Sequence, residues 1–258
     1  RAQINASNGL RVSGSLTAVN LQAAKPLLPT ELRLEGATDF SVFYRDGHWD
    51  AALKSMNFTG LVSGRALEAA GGLRAASDGT VSARNVTLRA GRNTMTADGS
   101  VAVAGKGALH LKARIAAPDL SEVSPRLKGE ARGTVAVSGT LGEPRLSADL
   151  TASGMRFNDL AIDRARLAGR FGSGGAADAV TLTVNGLRQG DYAVPEARLV
   201  LAGTPEKHTL RFSAREKTHG LALDGRLTGS WKTEAALWSG AAQSLSVKTP
   251  LGAWALTK

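Results

Sequence analysis

The sequence predicts an all-β protein built mainly of antiparallel strands, and three observations carry that reading. Apolar residues recur at every second position in run after run. No segment sustains a helical period or a βαβ alternation. Turn signals such as Asn-Gly, Asp-Gly and Gly-Glu-Pro punctuate the runs at short intervals.

Leu10, Val12, Gly14, Leu16 and Ala18 form the first alternating run, after a turn signal at Asn8-Gly9. Leu21 to Thr30 carries Pro26 and Pro29, which bars a central strand and predicts a corner or short helix. Leu32 and Leu34 restart the alternation. Phe40 to Tyr44 then leads through Asp46-Gly47, a tight hairpin turn, into Trp49, Ala51 and Leu53. Met56, Phe58 and Val62 predict a further strand, while Arg65 to Ala70 suits a helical turn or a weak strand equally. Between Val81-Ala83 and Val86-Leu88-Ala90 the apolar phase slips, which a bulge or a turn at Arg84-Asn85 explains. Met95, Ala97, Gly99, Val101 and Val103 follow.

The stretch from Ala108 to Leu150 holds every device the chain uses. Leu109, Leu111, Ala113 and Ile115 alternate with His110, Lys112 and Arg114, one face apolar and the other basic. Pro118 stops the strand, and Asp119 with Glu122 three residues on predicts a capping box for one helical turn. Ala131, Gly133, Val135, Val137, Gly139 and Leu141 return in period two. A turn at Gly142-Glu143-Pro144 then leads into Leu146, Ala148 and Leu150.

Met155 and Phe157 come next, followed by Ala161 to Phe171 and the glycine-rich Gly172 to Gly175. Val180, Leu182 and Val184 run to an expected turn at Asn185-Gly186. Ala197, Leu199 and Leu201 lead on to Leu210, Phe212 and Ala214. The run from Leu221 through Leu223, Gly225, Leu227 and Gly229 to Trp231 is the longest unbroken alternation, and three of the four tryptophans lie between it and Trp254.

Glycine sits on the apolar phase itself at Gly14, Gly99, Gly139 and Gly225. Asp98-Gly99 and Asp224-Gly225 can be read as hairpin turns, yet the alternation continues through all four positions. Glycine inside a strand permits a sharp bend or a close approach. Repeated bends would curl a sheet into a trough with a greasy concave side. Periodicity alone leaves that trough and a β-sandwich with glycine corners equally open.

Only 5% of the 258 residues are aromatic, and the apolar 43% leans on alanine, so core volume per residue is low. No run of roughly 18 apolar residues is present to span a bilayer as a helix. A chain opening on Arg1 and passing almost at once into a strand reads as a single elongated segment of a longer protein, with 1–118 and 119–258 as its two halves. The absence of cysteine excludes disulfides and thiolate metal sites. The formal charge of +10 comes from single Lys and Arg residues alternating with apolar ones. That pattern fits a solvated basic face and lacks the aromatic interleaving of a nucleic-acid groove.

Catalytic and metal constellations are missing. His48, His110, His208 and His219 are far apart and fall in no metal-ligand spacing. Gly105-Lys106-Gly107 lacks the upstream glycine of a phosphate loop, no serine sits in a Gly-x-Ser-x-Gly elbow, and Asp159 with Asp163 would share a face only on a helix. No cofactor is expected, and the sequons at Asn57 and Asn85 carry no weight.

The segment Asp119-Leu120-Ser121, Pro125 to Gly129, Gly133-Thr134-Val135 and Val137 to Ser147 resembles the repeating signature of the TamB family, within the AsmA-like superfamily. Leu227-Thr228-Gly229, Trp238-Ser239-Gly240 with Leu245, and Trp254-Ala255-Leu256 are similar to that family's tryptophan-glycine pattern, so the resemblance is clearest over Asp119 to Lys258. It implies a central periplasmic segment of a large inner-membrane-anchored envelope protein of Gram-negative bacteria, the translocation and assembly module. The partner it implies is an Omp85-type outer-membrane barrel, TamA, reached through regions outside this chain.

The resemblance favours the trough: an elongated, twisted, U-shaped sheet, on the order of 70 Å long for about 15 strands at ~4.8 Å spacing. The function it implies is passage of phospholipid acyl chains along the apolar interior, without catalysis. The expected lining is Leu109, Leu111, Ile115, Val135, Val137, Leu146, Leu150, Val180, Leu182, Leu199, Leu201, Leu210, Phe212, Leu221, Leu223 and Leu227. Two other readings remain open: a scaffold or chaperone-like segment that receives client strands by β-augmentation, and a closed-core spacer.

Overall fold

The computed structural model describes residues 3–5, 9–17, 32–62, 64–103, 107–172, 178–232 and 237–257, and the corner expected between Leu21 and Thr30 lies outside them. The described residues form seventeen strands and one single-turn 3-10 helix. The chain divides into two compact units at Pro125/Arg126.

Unit 1 comprises β1 (Gln3–Asn5), β2 (Leu10–Thr17), β3 (Leu32–Arg45), β4 (His48–Val62), β5 (Arg65–Ala76), β6 (Thr80–Ala90), β7 (Asn93–Ala102) and β8 (Ala108–Ala117). Each strand pairs antiparallel with the next, so the unit is a meander. Unit 2 repeats the plan with β9 (Leu127–Thr140), β10 (Pro144–Phe157), β11 (Leu160–Phe171), β12 (Ala179–Gln189), β13 (Tyr192–Thr204), β14 (Lys207–Arg215), β15 (Ala222–Lys232), β16 (Leu237–Thr249) and β17 (Gly252–Thr257). The all-β, antiparallel class is as the period-two pattern requires.

Antiparallel partners point to the same side of a sheet, so the registers sort each unit's side chains into two faces. Leu111, Gly99, Ala83, Leu73, Leu53, Phe40 and Gly14 fall on one side of unit 1. His110, Ser100, Ser82, Arg74, Ala52 and Ser41 fall on the other. Each unit is therefore a single layer, and among the described residues no side chain is fully buried. Phe58, Ala90, Leu109 and Ala117 in unit 1, with Ala148 and Val180 in unit 2, are the buried apolar residues. A sandwich would bury far more.

The apolar phase survives along these long strands because slips are absorbed by bulges. The expected slip at Arg84-Asn85 is one: Asn85 takes a left-handed φ of 49° opposite a register shift between Ala83 and Val86, and its N–H donates to Asp98 at 2.6 Å. Ser55, with φ 53°, does the same in β4. The strand expected from Met56 is therefore the continuation of β4, not a separate element.

The turn expected at Asn185-Gly186 is likewise not a turn. Both residues lie inside β12, where Gly186 takes a left-handed φ of 64° opposite Asp163 without a register shift, and the strand runs on to Gln189. An Asn-Gly pair accommodates positive φ in either setting, so the dipeptide alone does not distinguish them. Arg65 to Ala70 is strand. Asp46 (φ 49°) and Gly47 (φ 79°) make the expected two-residue hairpin, and a second one passes through Asn158-Asp159.

Of the glycines on the apolar phase, Gly99 and Gly225 are mid-strand, which settles their turn reading. Gly99 has φ 148°, and a Cβ there would collide with the carbonyl of His110 on β8. Gly225 leaves space for the ring of Phe212.

The corner after β8 is fastened by polar contacts, not by the capping box the sequence suggests. Asp119 caps the turn Leu120–Glu122 by accepting from the Ser121 N–H at 3.1 Å. The Glu122 carboxylate turns away to accept from the Arg92 N–H at 2.6 Å and Nε at 3.1 Å. The Asp119 N–H instead donates to Oδ1 of Asn93 at 3.0 Å, and the buried Asn93 amide donates to the carbonyls of Ala90 and Asp119. The Ser121 hydroxyl and N–H, helped by Arg92, hold the Asp119 carboxyl below the usual carboxylate range.

Gly99→Val is expected to destabilise unit 1 by about 3 kcal/mol or more, since it combines a left-handed φ with a backbone collision. Asn93→Ala is expected to cost about 2 kcal/mol by orphaning buried partners. Urea unfolding measures both, and a change below about 0.5 kcal/mol in either would contradict the account.

Candidate functional site

Within each unit the side opposite the charged residues is predominantly apolar. In unit 2 the registers carry Val135, Ala148, Gly169, Val180, Leu201, Leu210, Leu227 and Ala242 across eight consecutive strands on one side. A neighbouring row is Gly133, Leu150, Leu167, Leu182, Leu199, Phe212, Gly225, Leu245 and Leu256.

Val135, Val137, Leu146, Leu150, Val180, Leu182, Leu199, Leu201, Leu210, Phe212, Leu223 and Leu227 thus share the apolar face of unit 2. Leu221 lies just ahead of β15 in the same phase. Leu109, Leu111 and Ile115 share the apolar face of unit 1. Leu109 and Val180 are packed down at 8% and 6% exposure, whereas Leu111, Leu199 and Leu223 are 43%, 36% and 38% exposed. The remainder are half-buried.

Sequence reasoning missed part of this surface. Met155, Phe157, Leu160, Ile162, Leu187 and Val194 lie on the same side of unit 2, beyond two left-handed glycines. The signals were Gly154 (φ 59°), which shifts the register as Asn85 does in unit 1, and Gly186, where the apolar phase slips without a register shift. Leu53, Met56, Leu73, Val81, Val86, Leu88 and Met95 similarly join Leu109 in unit 1. Where the bulged parts of β4, β5 and β6 meet there is a recess of about 840 Å³, with Leu53, Met56 and Leu73 among its lining residues.

One imidazole interrupts the apolar face of unit 2. His208 stands at the start of β14, opposite Gly229 of β15. The indole of Trp238 on β16 leans across Gly229, where a Cβ would come within 2.6 Å of the ring, and its Nε1–H donates to Nε2 of His208 at 2.8 Å. Nδ1 of His208 lies 3.0 Å from the carbonyl of Pro205. Accepting at Nε2 requires the Nδ1–H tautomer, so Nδ1 donates to that carbonyl. Phe171 meets the same imidazole edge-on, with centroids 6.4 Å apart. Far from being an ordinary surface residue, this histidine ties β14 to β16 over the bare backbone of β15.

A second polar fastening closes the opposite end of unit 2. Glu216 is 9% exposed and accepts from the N–H groups of His219 (2.6 Å), Thr218 (2.7 Å) and Ala193 (3.2 Å). Desolvation pushes its carboxyl up, but the N–H donors of His219, Ala193 and Thr218 outweigh it and bring the pKa down from 4.5 to about 2. The loop after β14 is thereby held to the start of β13, and Tyr192 stacks on His219 with centroids 4.8 Å apart.

Among the described residues no group of His, Cys, Asp or Glu is placed to hold a metal ion. Nor, among the described residues, is any helix long and apolar enough to cross a membrane. The arrangement offers hydrophobic contact over a large area.

Comparison with known proteins agrees with the resemblance read from the sequence. The family model described as "TamB, N-terminal domain" matches residues 1–258, including the first half, where the sequence signature is weaker. A relative, the translocation and assembly module subunit TamB of Haemophilus influenzae, is 21% identical over 244 residues. That covers 93% of this chain but 18% of the relative, so the chain spans about a fifth of that protein's length. No solved structure matches.

Two outcomes are expected. His208→Phe keeps a ring but removes the acceptor, costing about 1 kcal/mol and speeding exchange of the Trp238 indole proton; unchanged exchange by NMR would contradict the tie. Glu216 has a depressed folded pKa, so its stabilisation is complete above about 4.5 and is lost as pH falls toward 2. Urea unfolding should therefore show wild type more stable than Glu216→Gln at neutral pH, with the difference closing below pH 4.5; a difference independent of pH would contradict the assignment.

Proposed function

The chain belongs to the TamB family, and from that premise we propose that it is a periplasmic segment of a TamB-type envelope protein whose apolar face carries phospholipid acyl chains. The observation that supports this most is the predominantly apolar side of each unit, half exposed, with no second layer of its own to cover it among the described residues. Every methylene removed from water contributes roughly 0.8 kcal/mol, so an acyl chain gains from lying on such a surface wherever it touches. Because the side chains are nearly all aliphatic and vary little along the rows, neighbouring positions are close in energy and a chain can move among them. Headgroups stay in water, and no chemical step is needed.

In this reading the segment acts in the translocation and assembly module alongside TamA, between the inner and outer membranes, and supports outer-membrane biogenesis. The polar faces meet the aqueous periplasm.

A photo-crosslinking amino acid at Leu111, Leu199 or Leu223 of the whole protein is expected to capture phospholipid in cells, while one at His110 or Arg198, on the polar faces, is not. Val137→Asp and Leu223→Asp place a charge on the apolar face of unit 2 and are expected to reduce capture at Leu199 at least tenfold while leaving the chain folded. Capture of outer-membrane protein strands with no lipid would replace this reading with the scaffold one.

A further inference from the structure

The polar face of unit 2 is more than a solvated exterior. Among its described residues arginines outnumber lysines more than twofold. Solubility alone does not favour arginine over lysine, whereas recognition of planar oxyanions does, because the guanidinium fork bonds them in pairs.

The arginines are also ordered. The registers run Arg132, Thr151, Arg166, Thr183, Arg198, Ser213 straight across β9 to β14, so an arginine recurs on every second strand, about 9.6 Å apart, with a hydroxyl between. One row farther along, Arg211 of β14 and Arg226 of β15 are direct cross-strand partners. Like charges in that position are destabilising. Asp149 pairs with Arg166 of the first row at 3.1 Å, Asp163 with Arg188, and Asp224 with Arg215 at 2.8 Å, so none of these carboxylates neutralises the Arg211–Arg226 opposition. Among the described residues, Arg132, Arg198, Arg211 and Arg226 have no carboxylate within ion-pairing distance.

We propose that this face is a docking surface for a linear carboxylate-bearing polymer, an acidic unfolded polypeptide, laid across the strands along the arginine rows. Charge complementarity identifies the occupant's sign. The face itself identifies its chemistry, since Arg188 donates through both terminal nitrogens to the two oxygens of Asp163, at 3.1 and 2.5 Å. A bilayer surface fits less well, because unit 2's tryptophans and its phenylalanines that could anchor in lipid lie on the other side. The proposal concerns the opposite face from the acyl-chain reading and stands without it.

The test is fluorescence anisotropy of labelled poly-L-glutamate with the full 258-residue chain at about 0.15 M salt. Binding is expected, weakening as salt rises. Arg132→Gln/Arg198→Gln and, separately, Arg211→Gln/Arg226→Gln are each expected to reduce affinity about tenfold. Arg11→Gln/Arg114→Gln, which removes two arginines of unit 1, is expected to change it less than twofold. The Arg211/Arg226 pair also serves as a folding control, since relieving a like-charge opposition should leave the melting temperature unchanged or higher. No binding, equal losses in all three double variants, or tighter binding to anionic phospholipid vesicles than to polyglutamate would each overturn the proposal.

Discussion

Everything in this molecule depends on keeping one side of the sheet apolar through strands long enough to drift out of phase. A strand shows its side chains alternately to two faces, so one uncompensated insertion would send every later leucine into water and every later arginine into the grease. The bulges at Ser55, Asn85 and Gly154 prevent that. Each adds a residue where the pattern slips, and the apolar rows continue on the far side. Bulged strands also bend, so the devices that preserve the phase are the ones that depart from a flat sheet.

A single layer has no opposing sheet to fill its apolar side, and this chain does not supply bulk to compensate. Alanine and glycine occupy many apolar-phase positions, few side chains are buried, and stability comes from ladders between consecutive strands supplemented by polar fastenings at the strand ends. Asn93 with Asp119, Glu216 with its three N–H donors, and His208 with Trp238 share that role. Fixing the strand ends by hydrogen bonds leaves the apolar face itself without a covering of its own. A large exposed apolar surface on a folded chain marks a binding surface, and the occupant proposed for it is lipid.

Most of the fold was legible because period two is a direct imprint of strand geometry. Leu109-Leu111-Ile115 and Leu199-Leu201 announced both their strand and their face, and Asp46-Gly47 announced its hairpin. The slip at Arg84-Asn85 was visible because apolar residues flank it closely on both sides. The equivalent slip at Asn185-Gly186 carries the signature of a turn, since the same dipeptide serves both ends, and Met155 to Ile162 falls outside the expected surface for a similar reason. Glu122 satisfied the spacing of a capping box but found a better donor set on Arg92, a contact 30 residues away that no local pattern encodes. The His208–Trp238 hydrogen bond, also 30 residues apart, was invisible for the same reason. The ordering of arginines across strands emerges only once registers are known.

The central claim, that the apolar face holds acyl chains, is tested most directly by mass spectrometry of lipid carried through purification of the chain from bacterial membranes under mild conditions. Phospholipid retained by the wild-type chain and depleted at least tenfold in Val137→Asp/Leu223→Asp is the result the account predicts. A wild-type chain that is folded yet carries no more phospholipid than the double variant would contradict it.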